Sequence, residues 1–109
     1  MKGKPMSVER ISCLQAQQKM RDEQAVLVDI RDPVAFEAAH VDGAERLSNE
    51  NLLSFVKSAD LDKPLLVMCY HGHSSISAAK FLVEQGFSAV FSVDGGFEAW
   101  RKQLPFIGQ

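Results

Sequence analysis

The chain has 109 residues, of which 46% are apolar, and a formal net charge of -2. That is material for one domain with its own hydrophobic core, needing no disulfide or metal staple. Its 12 Lys and Arg are interspersed with 14 Asp and Glu and form no basic run, which excludes a nucleic-acid stripe or a polybasic membrane anchor. The basic start, MKGKPMSVERIS, has no apolar segment behind it, and the longest apolar run, around Leu65 to Cys69, is far too short to span a bilayer. A cytosolic location is expected. Two cysteines, Cys13 and Cys69, are too few for a disulfide framework, and a reducing cytosol keeps them as thiols.

In chain order, Ser12 followed by Gln15 is a capping-box signature, and Cys13, Ala16 and Met20 recur at helical spacing to about residue 22. Cys13 is expected on the core face as a small hydrophobe. AVLVDI, residues 25 to 30, is apolar without alternation until Asp29, as in a strand covered on both faces of a parallel sheet. Asp32 and Pro33 then form an N-cap and first helical residue, so a short helix through about Ala39 follows. Gly43 breaks the pattern and AERL is a brief strand. Leu52, Phe55, Val56 and Ala59 repeat as an amphipathic helix that ends near Asp62, Lys63 and Pro64. LLVMC is a second apolar strand; Ile76, Ala79, Leu82 and Val83 mark a helix stopped at Gly86. AVFSV is a third strand, closed by Asp94, Gly95 and Gly96, and FEAWRKQL is the last helix. This alternation predicts a three-layer α/β domain with a mainly parallel sheet flanked by helices.

Ligands of open α/β sheets bind beyond the carboxyl ends of the strands, and Cys69 ends one of the most apolar strands here. The loop after it, YHGHSS, feeds a helix N-terminus, where unpaired amides and the helix dipole favour an anion. If the backbone from Tyr70 to Ser75 curls around the sulfur, with Gly72 supplying positive φ, its amides form a nest for a thiolate. An ordinary cysteine with a pKa of about 8.5 is a few per cent ionised at pH 7, and lowering that pKa by about two, which takes roughly 2.7 kcal/mol, makes most of it thiolate. Position and spacing leave two readings open: a cradled thiolate, or a core cysteine followed by an ordinary loop. His71 and His73 invite zinc, but Cys-x-His-x-His matches no common structural zinc site, and His40 is the one other histidine. No metal or cofactor is expected.

CYHGHSS after an apolar strand, LVDIRD upstream, His40 closing the first short helix, and SVDGGFEAW near the C-terminus together resemble a single-domain rhodanese. The resemblance runs from about residue 8 to residue 105, leaving 1–7 and 106–109 as terminal extensions. It implies a rhodanese-like fold and ping-pong transfer of sulfur from thiosulfate, through a persulfide on Cys69, to a nucleophile such as cyanide or a thiol. The loop Tyr70, His71, Gly72, His73, Ser74 and Ser75 would bind the persulfide. Arginines often stand where Tyr70 and Ser74 stand here, so affinity for a dianionic donor is expected to be modest, with His71 and His73 adding charge near pH 6.5 and below. Asp29 and Arg31 match the family's Asp-x-Arg and are expected, with His40, Gly95, Gly96 and Trp100, to support the site structurally.

Two rivals accompany this reading. The architecture is shared by phosphatases with a Cys-x5-Arg loop, but residue 75 is Ser, so the phosphate clamp is missing. A persulfide carrier or interaction module that hands sulfur to a protein thiol, such as that of thioredoxin, is the non-enzymatic alternative.

Overall fold

The structure, a computed structural model, describes residues 8–108; the proposed extension 1–7 and Gln109 lie outside the described residues. Its elements are β1 (Glu9–Ile11), α1 (Cys13–Asp22), β2 (Val26–Asp29), α2 (Pro33–Ala38), β3 (Ala39–His40), β4 (Glu45–Arg46), α3 (Leu52–Ser58), β5 (Leu65–Met68), α4 (Ser74–Glu84), β6 (Val90–Val93), α5 (Gly96–Arg101) and β7 (Ile107–Gly108). Five strands form one parallel sheet in the order β1-β6-β5-β2-β4, and β3 pairs with β7 antiparallel.

Strand residues point alternately to opposite faces, and the unbroken apolar runs therefore give the sheet two cores. Leu27, Leu66, Met68 and Val93 meet Cys13 and Ala16 of α1 and Phe97 and Trp100 of α5 on one face. Val28, Leu65, Val67 and Val90 meet Leu52 and Phe55 of α3 and Ala79 and Leu82 of α4 on the other. The Ser12–Gln15 capping box starts α1, with the Ser12 side chain accepting from the Gln15 amide and the Gln15 side chain accepting from the Ser12 amide. β5 lies in the middle of the sheet. After β2 the chain leaves toward β4, and after β5 it leaves through α4 toward β6, so the β2–β5 crevice is the switch point where this architecture binds ligands.

Three short strands were not anticipated. Glu9 and Arg10 of β1 are exposed and Ile11 alone is buried, so no hydrophobic pattern marks it. The helix expected through Ala39 stops at Ala38, and His40, expected to close that helix, lies in β3 instead. Its Nδ1 is 2.8 Å from the Phe36 carbonyl and its ring stacks on Phe36 at 4.2 Å. Residues 106–108 pack onto the domain rather than trailing from it: Phe106 meets Phe97 edge-on at 5.6 Å, and Ile107 pairs with His40.

The end of β2 is tied across the sheet edge by charge. Arg31 donates through Nε to Asp29 Oδ1 at 2.9 Å and through Nη2 to Oδ2 at 2.7 Å, and through Nη2 to the Ala39 carbonyl at 2.8 Å. Its guanidinium also sits 4.2 Å from the centroid of Phe97. Both charges are buried, at 0% and 8% exposure, so each compensates the other where water cannot. Asp29→Ala leaves the guanidinium without its carboxylate and is expected to lower unfolding free energy by about 3–5 kcal/mol, measured by urea denaturation; a loss below about 1 kcal/mol contradicts this description.

Candidate active site

Cys69 follows β5 directly and is 6% exposed, so its sulfur has little water left to solvate a charge. The backbone turns back over it. The Gly72 amide donates to Sγ at 3.1 Å and the Ser75 amide at 3.3 Å, and Ser75 Oγ also stands 3.3 Å from Sγ. Once the sulfur is ionised that hydroxyl is a third donor. Burial pushes the Cys69 thiol up, but the Ser75 hydroxyl and the amides of Ser75, Gly72 and His71 outweigh it and hold the pKa below its ordinary value. Every group that lowers it is a hydrogen-bond donor; none is a charged side chain.

α4 begins without a side-chain cap, its N-cap being His73. Helices normally need one because their first amides lack partners; here the sulfur takes the amide of Ser75 in place of a capping oxygen. Gly72 makes the turn possible. Its φ is +94°, and a Cβ there would lie 2.7 Å from the Gly95 amide nitrogen, so both conformation and space exclude a side chain.

The Gly95–Gly96 turn closes the cradle from behind. The amides of Phe97 and Glu98, at the start of α5, donate to the carbonyls of Cys69 at 2.8 Å and Tyr70 at 3.0 Å. A Cβ on Gly96 would collide with those same carbonyls. Trp100 is buried at the far end of α5, its indole donating to the Pro105 carbonyl at 2.9 Å.

The histidines are placed differently from one another. His71 Nδ1 meets Glu98 Oε1 at 2.7 Å, so a charge on His71 is matched by a carboxylate instead of being left for an anionic donor. His73 is exposed, as is Tyr70, which stands edge-on to His71. Glu98 and Ser92 are site residues that sequence reasoning passed over; Ser92 Oγ lies 2.7 Å from Ser75 Oγ and both residues are fully buried. A continuously apolar strand interrupted by one serine was the available signal for Ser92. Ser74 is exposed and Ser75 buried, so the adjacent serines are not equivalent. Among the described residues no group of three or more His, Cys, Asp or Glu could hold a metal ion, and no helix is long and apolar enough to cross a membrane. A groove of about 650 Å³ lies between α3, α4 and the end of β2, lined by Ile30, Arg46, Leu52, Ala78 and Phe81 among others, but not by Cys69.

A parallel α/β sheet with a cysteine cradled by a strand-to-helix loop at its switch point defines a class of thiol-centred domain. The chain belongs to the rhodanese-like domain family, whose sequence model matches residues 12–103. It is 58% identical over 88 residues to the thiosulfate sulfurtransferase GlpE of Pseudomonas syringae pv. syringae, covering 81% of this chain and 83% of that protein. To the thiosulfate sulfurtransferase GlpE of Pseudomonas putida it is 57% identical over 97 residues, covering 89% and 88%. Among solved structures, a rhodanese-related protein from Thermoplasma volcanium matches with a TM-score of 0.77 at 22% identity, over 93% of this chain and 99% of that one. A protein from Rhodopseudomonas palustris CGA009, described as of unknown function and a possible tyrosine phosphatase, matches with a TM-score of 0.74 at 29% identity, over 88% of this chain and 81% of that one.

Cys13 contrasts with Cys69. Burial, then the negative charge of Asp94, push its thiol up, against a smaller opposing effect of its own backbone amide, and its Sγ faces carbonyl oxygens of Asp94 and Gly96 at 3.7 and 3.9 Å. Brief treatment with iodoacetamide at pH 7 is therefore expected to alkylate Cys69 and spare Cys13, read by peptide mass spectrometry. Lowering the pH through the Cys69 pKa slows the labelling, because the thiolate is the nucleophile. Preferential labelling of Cys13 in folded protein contradicts both assignments.

Proposed function

We propose that the protein is a thiosulfate sulfurtransferase that carries sulfane sulfur as a persulfide on Cys69. In the first half-reaction the Cys69 thiolate attacks the outer sulfur of thiosulfate. The S–S bond of thiosulfate breaks, its electron pair leaves with sulfite, and Cys69 becomes a persulfide anion. In the second, an acceptor nucleophile attacks the outer persulfide sulfur: cyanide, or a thiolate of a small molecule or of a protein such as thioredoxin. The electron pair of the Cys69 S–S bond returns to Sγ, and the acceptor leaves as thiocyanate or as its own persulfide. Each half-reaction conserves charge and needs no external oxidant or reductant.

The observation that carries this reading is the set of donors on Cys69 Sγ: two amides and a hydroxyl, all within 3.3 Å. They stabilise negative charge on sulfur before attack and after the acceptor departs, and being fixed by the fold they need no reorganisation during the reaction. The curated relatives named as thiosulfate sulfurtransferases, at 57–58% identity, support thiosulfate as the donor. A Cys-x5-Arg phosphatase requires a guanidinium at residue 75, where the buried Ser75 presents a hydroxyl to the sulfur instead.

Incubation with thiosulfate is expected to add the mass of one sulfur atom to the Cys69 peptide and none to the Cys13 peptide. Cys69→Ser removes turnover with thiosulfate and cyanide, whereas Cys13→Ser leaves the transfer rate within about twofold of the parent, since a buried core thiol takes no part in the chemistry. Retained turnover in the Cys69 variant sinks the persulfide reading. A stable persulfide that cyanide fails to discharge turns the protein into a carrier.

A further inference from the structure

β6 places one polar side chain inside the apolar sheet. Ser92, with 0% exposure, is the neighbour of Val67 in the parallel register and lies two residues along the partner strand from Cys69. Among the described residues, its hydroxyl has one hydrogen-bond partner, Ser75 Oγ at 2.7 Å. Ser75 Oγ has two, Ser92 Oγ and Cys69 Sγ. The three atoms form a short buried chain from sheet to sulfur, closed to water at the serine end.

Counting protons along this chain decides its direction. Each hydroxyl brings one hydrogen, and a buried hydroxyl hydrogen without an acceptor is costly. The Ser92 hydrogen has Ser75 Oγ as its acceptor. With that contact made from the Ser92 side, the Ser75 hydrogen is left for Cys69 Sγ. Both hydrogens are satisfied in the order Ser92 to Ser75 to sulfur, and the sulfur end accepts. The thiolate suits this chain, because a thiol adds a third hydrogen to a chain with two contacts. Without Ser92, the Ser75 oxygen loses the donor that fixes its orientation and polarises its own hydrogen toward the sulfur.

We propose that Ser92 is a positioning residue of the active site: it holds the Ser75 hydroxyl with its hydrogen directed at Cys69 Sγ and polarises that hydroxyl as a donor. The inference rests on Cys69 as the reactive sulfur of the proposed function, but its test uses no sulfur donor. The chargeable groups of the elements around the thiol are Tyr70, His71 and His73 of the loop, Lys80 and Glu84 of α4, Asp94 after β6, Glu98 and Arg101 of α5, and Asp29 at the end of β2 with its partner Arg31. Substitution at residues 75 and 92 leaves all of them in place.

The experiment is the pH dependence of iodoacetamide alkylation of Cys69, followed by peptide mass spectrometry, in the parent protein, Ser75→Ala, Ser92→Ala and the double variant. Below the Cys69 pKa, Ser75→Ala is expected to slow alkylation by roughly tenfold and Ser92→Ala by roughly threefold or more, with the parent rate regained at high pH. The double variant is expected to be no slower than Ser75→Ala alone, because Ser92 acts through Ser75. A Ser92→Ala profile that superimposes on the parent, or losses that multiply in the double variant, overturns the proposal. Should Ser92→Ala fail to fold, Ser92→Thr and Ser92→Val, alike in shape and different in the hydroxyl, decide it: the threonine variant must alkylate at least about threefold faster, and equal rates overturn the proposal. Failure of thiosulfate to load Cys69 would remove the sulfurtransferase reading and leave these rates unaffected.

Discussion

A sulfur anion placed under a protein surface has to be given back the hydrogen bonds it loses from water. In this fold the obligation falls on the backbone between Cys69 and Ser75, and much of the surrounding architecture follows from it. The loop must turn tightly enough for the Gly72 and Ser75 amides to reach one atom, which requires a positive φ at Gly72 and a neighbour as slim as the Gly95–Gly96 turn. That turn is possible because α5 starts directly against the carbonyls of Cys69 and Tyr70 and takes its first hydrogen bonds from them. Cradle and last helix thus brace each other. A side chain at Gly72 or Gly96 strikes backbone on the opposite piece, where neither can yield.

Support also comes from the neighbouring strand. The Asp29–Arg31 pair spans from the end of β2 to Ala39 in β3 and to the ring of Phe97 in α5, so one guanidinium joins three elements around the switch point. A lysine could not do this: the planar fork meets the carboxylate through two nitrogens while one of them also reaches a carbonyl. The Arg31 guanidinium packs on Phe97 of the helix whose first amides donate to the Cys69 and Tyr70 carbonyls. Phe106, packed on the same Phe97 ring, extends that support to the C-terminal segment.

Charge is handled sparingly at the mouth. The groups that favour charge on the sulfur are amides and a hydroxyl, with no charged side chain among them. The imidazole closest in sequence to the sulfur, His71, is engaged by Glu98 through a 2.7 Å contact. The stabilisation of sulfur therefore depends on fixed dipoles inside the fold, which salt screens far less than exposed ions.

Runs of apolar residues without alternation, broken by helical spacing, were sufficient to predict a parallel α/β domain. The strands around Leu27, Leu66 and Val93 and the helices from Cys13, Leu52 and Ser74 lie where that pattern puts them. The same reading pointed to Cys69 by its place at the end of an apolar strand and to Gly72 by the turn it permits. β1, β3 and β7 escaped it, because two or three residues with at most one buried side chain carry no period. The His71–Glu98 pair and the Ser75–Ser92 contact escaped it too, since each joins residues on different elements that only strand order brings together. Local pattern therefore determined most of the strands and helices and brought Cys69 forward as a candidate thiol. Tertiary structure decided what surrounds that thiol, because the donors and braces around a buried sulfur are set by the neighbours of β5 in the sheet, and sheet order is not a local property of the chain.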